Sequence, residues 1–153
     1  MNILISLLML FVFTQPSTDK KATVSTTADA VTEVVIEGND QMRFNLTEIK
    51  VKAGSTVKLT LKHVGKLPKQ AMGHNWVLLN ADVVVKDFAM SAMSARDNDY
   101  IPKDSKDVIV HTDLVGGGES TTIEFEAPAK GEYTFICSFP GHYGLMKGTF
   151  IVE

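Results

Sequence analysis

Only one cysteine, Cys137, stands in the 153 residues. No disulfide can form within the chain, so stability must come from the core or from a metal. Basic residues are not in surplus either: 15 Lys and Arg face 18 Asp and Glu, a net charge of −3. That balance excludes the concentrated basic face that a phosphate backbone demands, and with it nucleic acid as a partner. No apolar run reaches the length of a membrane span. Ile3–Phe13 holds 11 residues, against about 20 for a spanning helix. No internal repeat interrupts the chain.

The short run is the length of a secretory signal core, although no Lys or Arg precedes it. Thr14 to Thr32, rich in Thr, Ser, Ala, Asp and Lys and without periodicity, reads as a leader remnant or flexible tether. Two outcomes stay open: a cleaved signal, or a retained N-terminus that anchors the protein. With no cysteine in this stretch, a lipidated N-terminal cysteine is not expected. The expected division is residues 1–31 as signal peptide or tether and residues 32–153 as one domain. Export implies a periplasmic location. It also gives the unpaired Cys137 a reason to be occupied, because a free exported thiol invites oxidation.

From Glu33 onward, period-two alternation dominates, as in half-buried strands. In Thr56–His63, Val57, Leu59, Leu61 and His63 share one face while Lys58, Thr60 and Lys62 share the other. Ile123 and Phe125 alternate with polar neighbours in Thr122–Glu126. Tyr133, Phe135 and Cys137 share a parity that turns the sulfur inward. Further strands are expected at 33–37, 48–52, 74–79, 107–111 and 149–152, separated by turn signals such as Ala53-Gly54-Ser55 and Lys130-Gly131. About eight short strands predict an all-β fold, an antiparallel Greek-key β-sandwich. Val84, Phe88, Ala92 and Ala95 recur at helical spacing and predict a short inserted helix within 81–95.

The chemistry concentrates in Cys137-Ser138-Phe139-Pro140-Gly141-His142-Tyr143-Gly144-Leu145-Met146. A thiolate, an imidazole and a thioether lie within ten residues, on a loop between two strands. Soft sulfur donors with imidazole suit copper, and a His₂Cys plane with a weak axial Met is the blue-copper arrangement. That arrangement needs a second histidine, and His74 in Met72-Gly73-His74-Asn75-Trp76 begins a different strand. Phe139 and Pro140 suit an apolar shell around the site. His111 reads as a surface histidine. His63, on the inward parity of its strand, reads as buried and hydrogen-bonded.

These segments resemble the azurins. The resemblance is carried by Gly38-Asn39-Asp40-Gln41-Met42-Arg43-Phe44, Leu67-Pro68-Lys69, Met72-Gly73-His74-Asn75-Trp76-Val77-Leu78, Val108-Ile109-Val110-His111-Thr112 and the C-terminal loop. Four residues separate Cys137 from His142 and three separate His142 from Met146, which is the azurin spacing. The resemblance implies a cupredoxin-like fold and one type 1 copper ion held by His74, Cys137 and His142, with Met146 axial and the Gly73 carbonyl opposite. It places Asn75, Ser138 and Phe139 around the ligands. Electrons would pass through His142, inside an apolar patch of Met42, Met72, Phe139 and Pro140. The function implied is one-electron transfer with redox proteins such as c-type cytochromes or copper reductases and oxidases. Copper buffering or delivery is the alternative. An enzyme is not expected, because multicopper oxidases need further sites with His-x-His pairs and this chain has none. Two departures stand out. Azurins join the first strand to a later turn by a disulfide where Thr32 and Ser55 stand here, and Tyr143 occupies a position that is usually smaller.

Overall fold

The computed structural model describes residues 31–153; the apolar run, the tether and the expected signal or anchor lie outside them. Nine strands are described: β1 (Thr32–Asn39), β2 (Arg43–Phe44), β3 (Glu48–Val51), β4 (Thr56–His63), β5 (Val77–Leu79), β6 (Val108–His111), β7 (Ser120–Glu126), β8 (Gly131–Ile136) and β9 (Lys147–Val152). Two helices, α1 (Lys69–Met72) and α2 (Val85–Ala92), and a 3-10 turn at Arg96–Asn98 complete the elements. One sheet runs β2-β1-β4-β7, the other β3-β9-β8-β5-β6. The all-β sandwich expected from the alternation is what the chain forms.

Two strand pairings depart from a purely antiparallel sandwich. β1 lies parallel to β4, with Thr32 opposite Val57, and β3 lies parallel to β9. The chain changes sheet after β2, so β4 returns beside β1 in the same direction after β3 has passed through the opposite layer. Alternation along single strands carries no information about this crossing. Ile36, Val57, Leu59, Leu61, Trp76, Leu78, Phe135 and Phe150 fill the space between the sheets. Trp76 is at the centre, with Phe135, Phe125 and Phe150 at 5.7, 5.9 and 6.0 Å between ring centroids.

The inserted helix is shorter than the pattern predicts. Phe88 and Ala92 are buried, but Val84 caps the helix from an extended backbone and is 62% exposed. Ala95 stands before the 3-10 turn. Strand β5 is also shorter than predicted. His74 makes only an isolated bridge to Val115, and regular pairing starts at Val77. Cys137 lies one residue past the end of β8. Of the expected ligands, His74, Cys137 and Met146 therefore sit just beyond strand ends, while His142 lies within the loop between β8 and β9.

Thr32 and Ser55 make no covalent link. The Ser55 hydroxyl donates to the Lys52 carbonyl at 2.7 Å, and the Ser55 carbonyl accepts the Ala127 N–H at 2.9 Å.

Candidate metal centre

Helix α1 is a single turn that no sequence period announced, and it delivers the first donor segment. Its end at Gly73 is crowded: a Cβ there would lie 2.6 Å from the Lys69 carbonyl oxygen. Only glycine brings the backbone that close. His74 follows, its N–H and C=O both bonded to Val115, at 2.9 and 2.8 Å. In the side chain, Nε2 lies 2.9 Å from the Asn39 carbonyl oxygen, which can only accept. Nε2 therefore carries the proton and Nδ1 presents a lone pair, the tautomer a metal ligand requires.

His63 stacks on this ring, with centroids 4.3 Å apart and planes 15° apart. Its own nitrogens are satisfied. The Gly65 N–H donates to Nδ1 at 3.1 Å, and Nε2–H donates to the Met72 carbonyl at 2.8 Å. His63 is thus the buried, hydrogen-bonded histidine its parity implied, and His111 is exposed.

The second segment is the loop between β8 and β9. The Cys137 N–H donates to the Met146 carbonyl at 2.9 Å and closes the loop. Gly141 has φ of +84°, the left-handed region that favours glycine. The turn is secured by His142 N–H to the Phe139 carbonyl and by Leu145 and Met146 N–H to the His142 carbonyl. Asn75 joins the two segments. It accepts the Ser138 N–H at 2.9 Å and donates to the Ser138 hydroxyl at 2.8 Å and the Asp99 carbonyl at 2.9 Å. Asp99 as a partner was not anticipated; its positive φ of 52° carries no strong sequence signal.

Donor atoms of His74, Cys137 and His142 all lie within 4.8 Å of one another, and the three residues are buried. Cys137 Sγ is 3.9 Å from His74 Nδ1, 3.6 Å from His142 Nδ1 and 3.9 Å from the Gly73 carbonyl oxygen. Metal–sulfur and metal–nitrogen bonds of about 2.3 and 2.0 Å, set at 120°, separate S and N by about 3.7 Å. The observed 3.6 and 3.9 Å lie either side of that separation, so the three atoms could share one ion. Met146 is fully buried, and its methyl and the His74 ring both face Gly38, where a Cβ would lie 3.3 and 2.7 Å from them.

Electrostatics prepares the same donors. Burial pushes the Cys137 thiol up to about 12, opposed in part by the backbone N–H groups of Asn75 and Phe139. Burial pulls His142 down to about 4, helped by repulsion from His74 and His63. His74 is lowered chiefly by burial as well. Both imidazoles are therefore neutral at pH 7 and available as ligands. The thiol holds its proton until a metal displaces it.

Around the site, Phe139 packs on the His142 ring at 4.6 Å. Met42, Met72 and Pro140 are half-buried, and His142 itself is 3% exposed. Leu145, on the same loop, is an apolar residue 47% exposed that was not singled out from the sequence. Its place between His142 and Met146 was the signal available. Tyr143 does not extend that surface freely, because it packs against the cluster beneath α2.

A β-sandwich that gathers a buried thiol and two neutral imidazoles at one place, with a buried methionine on the same loop, has the donor set of a mononuclear copper protein. A family profile described as copper binding proteins, plastocyanin/azurin family, matches residues 30–153. The chain belongs to that family, and copper is its cofactor. It is 44% identical over 124 residues to azurin of Pseudomonas aeruginosa, covering 78% of this chain and 84% of that protein. It is 46% identical over 120 residues to outer membrane protein H.8 of Neisseria meningitidis serogroup B, covering 74% of this chain but 63% of the relative. Among solved structures, auracyanin A, a "blue" copper protein of Chloroflexus aurantiacus, superposes with a TM-score of 0.74 at 31% identity, over 81% of this chain and 100% of that one.

Proposed function

We propose that the protein is a one-electron carrier in which His74, Cys137 and His142, together with Met146 and the Gly73 carbonyl oxygen, would hold a copper ion. The observation that supports this reading is that donor atoms of His74, Cys137 and His142 lie buried within 4.8 Å of one another, with the Asn39 carbonyl turning the His74 Nδ1 lone pair toward the others. A copper ion held there supplies the Cu(I)/Cu(II) couple. The chain contributes rigidity. Asn75 fixes Ser138, and the Asn39 carbonyl fixes the His74 ring, so the ligands have little freedom to rearrange between oxidation states. Phe139 and the methionines exclude water from the sulfur. The edge of His142, framed by Met42, Met72, Phe139 and Pro140, is the exit for the electron, and Leu145 extends that frame.

The partners that suit an apolar docking surface on a weakly charged protein are other redox proteins, such as c-type cytochromes and copper reductases or oxidases. Their encounters would be brief and depend little on salt. Residues 32–153 form the carrier domain, and residues 1–31 serve as signal peptide or anchor. The location is periplasmic, a reading in keeping with a relative named as an outer membrane protein. The carrier is not an enzyme on this reading.

The test loads one Cu(II) per chain and cycles it with ascorbate and ferricyanide in the presence of a Cu(I) chelator. A carrier returns its full visible absorption over many cycles. Loss of copper to the chelator on the first reduction would overturn the carrier and favour copper delivery.

A further inference from the structure

The loop from Cys137 to Met146 is gripped from both faces of the five-stranded sheet. Cys137, Phe139 and Met146 belong to the core between the sheets. Ile136 and its register partner Val77 face the other way. There they join Leu79, Phe88, Ala92 and Ile101 in a second buried cluster, which includes the helix α2. Tyr143 packs against this outer cluster, although the residue before it, His142, turns its ring toward Cys137 on the inner side.

A glycine stands on either side of this pair. Gly141 and Gly144 flank His142-Tyr143, both exposed, and a Cβ at either position would meet nothing within 4 Å. Backbone hydrogen bonds from His142 N–H to Phe139 and from Leu145 and Met146 N–H to His142 close the turn on itself, and the Tyr143 side chain adds its tie to the outer face of the sheet. On the inner side the His142 ring packs on Phe139 and approaches Cys137 Sγ to 3.6 Å. We propose that Tyr143 is a positioning residue: packed into the outer cluster beneath α2, it clamps the turn that carries His142 and keeps the metal-free loop in its ligand-ready geometry. This rests on the reading of His142 as a copper ligand. The role is one of packing, so phenylalanine will serve as well as tyrosine.

Amide hydrogen exchange of the metal-free protein tests the clamp. In Tyr143→Ala, the N–H groups of Leu145 and Met146 should exchange about tenfold faster relative to those of Leu59 and Leu61 in β4, because the loop opens locally rather than with the whole fold. Tyr143→Phe should match the parent. After loading, Tyr143→Ala should release copper to a chelator about tenfold faster. Loop amides that move only in step with β4, or a Tyr143→Phe variant as loose as Tyr143→Ala, would overturn the proposal. Should Tyr143→Ala fail to fold, Tyr143→Leu carries the same comparison. A parent protein without a copper–thiolate signal would remove the copper reading, while exchange in the metal-free form would still decide whether Tyr143 clamps the turn.

Discussion

Single atoms decide the geometry of the centre. A methyl group on Gly38 would press within 2.7 Å of His74 Cδ2 and 3.3 Å of the Met146 methyl. The His74 ring cannot retreat freely, because His63 stacks on it and the Asn39 carbonyl holds its far nitrogen. Gly38→Ala should therefore weaken copper binding by about 10- to 100-fold, the range for changes that misorient a ligand, as read by competition against a chelator. Protons give a second residue-scale outcome. With Cys137 protonated up to about 12 and both imidazoles lowered, loading at pH 7 should release about one proton, from the thiol. Calorimetry in buffers of different ionisation enthalpy counts it; a release of two or more would contradict the neutral imidazoles. The same groups shape the stability of the metal-free protein. His142 binds its proton less tightly folded than unfolded, so its contribution is full above about 6.5 and is lost as pH falls toward about 4. Cys137 has the opposite sign: its contribution is full below about 9 and is lost as pH rises toward about 12.

At the scale of elements, β1 is held to β4 by seven parallel residue pairs. The parallel pairing starts at Thr32, and no covalent bond ties it to the turn at Ser55. Introducing Thr32→Cys with Ser55→Cys would close a loop of about 24 residues and should stabilise the oxidised protein by about 3 kcal/mol. Urea midpoints of the oxidised and reduced forms measure this. No difference would mean that β1 is already fully secured by its pairing and core contacts. Legibility in the sequence also differs from element to element. β4 alternates over eight residues and occupies the bounds its pattern predicts. β2 is two residues and α1 is four, too short to show any period, so neither could be read. The helix lost its predicted ends because Val84 and Ala95 fit the spacing but have no core beneath them. The donors were legible for a different reason: Cys137, His142 and Met146 are close in sequence, and copper chemistry restricts which residue types can stand together. The hydrogen bond from Asn75 to the Asp99 carbonyl and the seating of Tyr143 depend on how distant segments meet. A one-dimensional pattern does not carry that.

At the scale of the molecule, two sheets form a rigid frame and the centre occupies one end of it. The buried core lies between the sheets, so the loops that converge on Cys137 can be tuned with little effect on the strands. The mild net charge of −3 places no strong field around this end, which suits apolar docking. Everything in the functional reading depends on copper binding to the Cys137 sulfur. The direct measurement is the visible absorption of the purified protein after adding one equivalent of Cu(II), beside Cys137→Ser treated identically. The predicted result is an intense blue thiolate-to-copper band in the parent and none in the variant. A folded parent with Cu(II) present and no such band, or an equal band in the variant, would contradict the account.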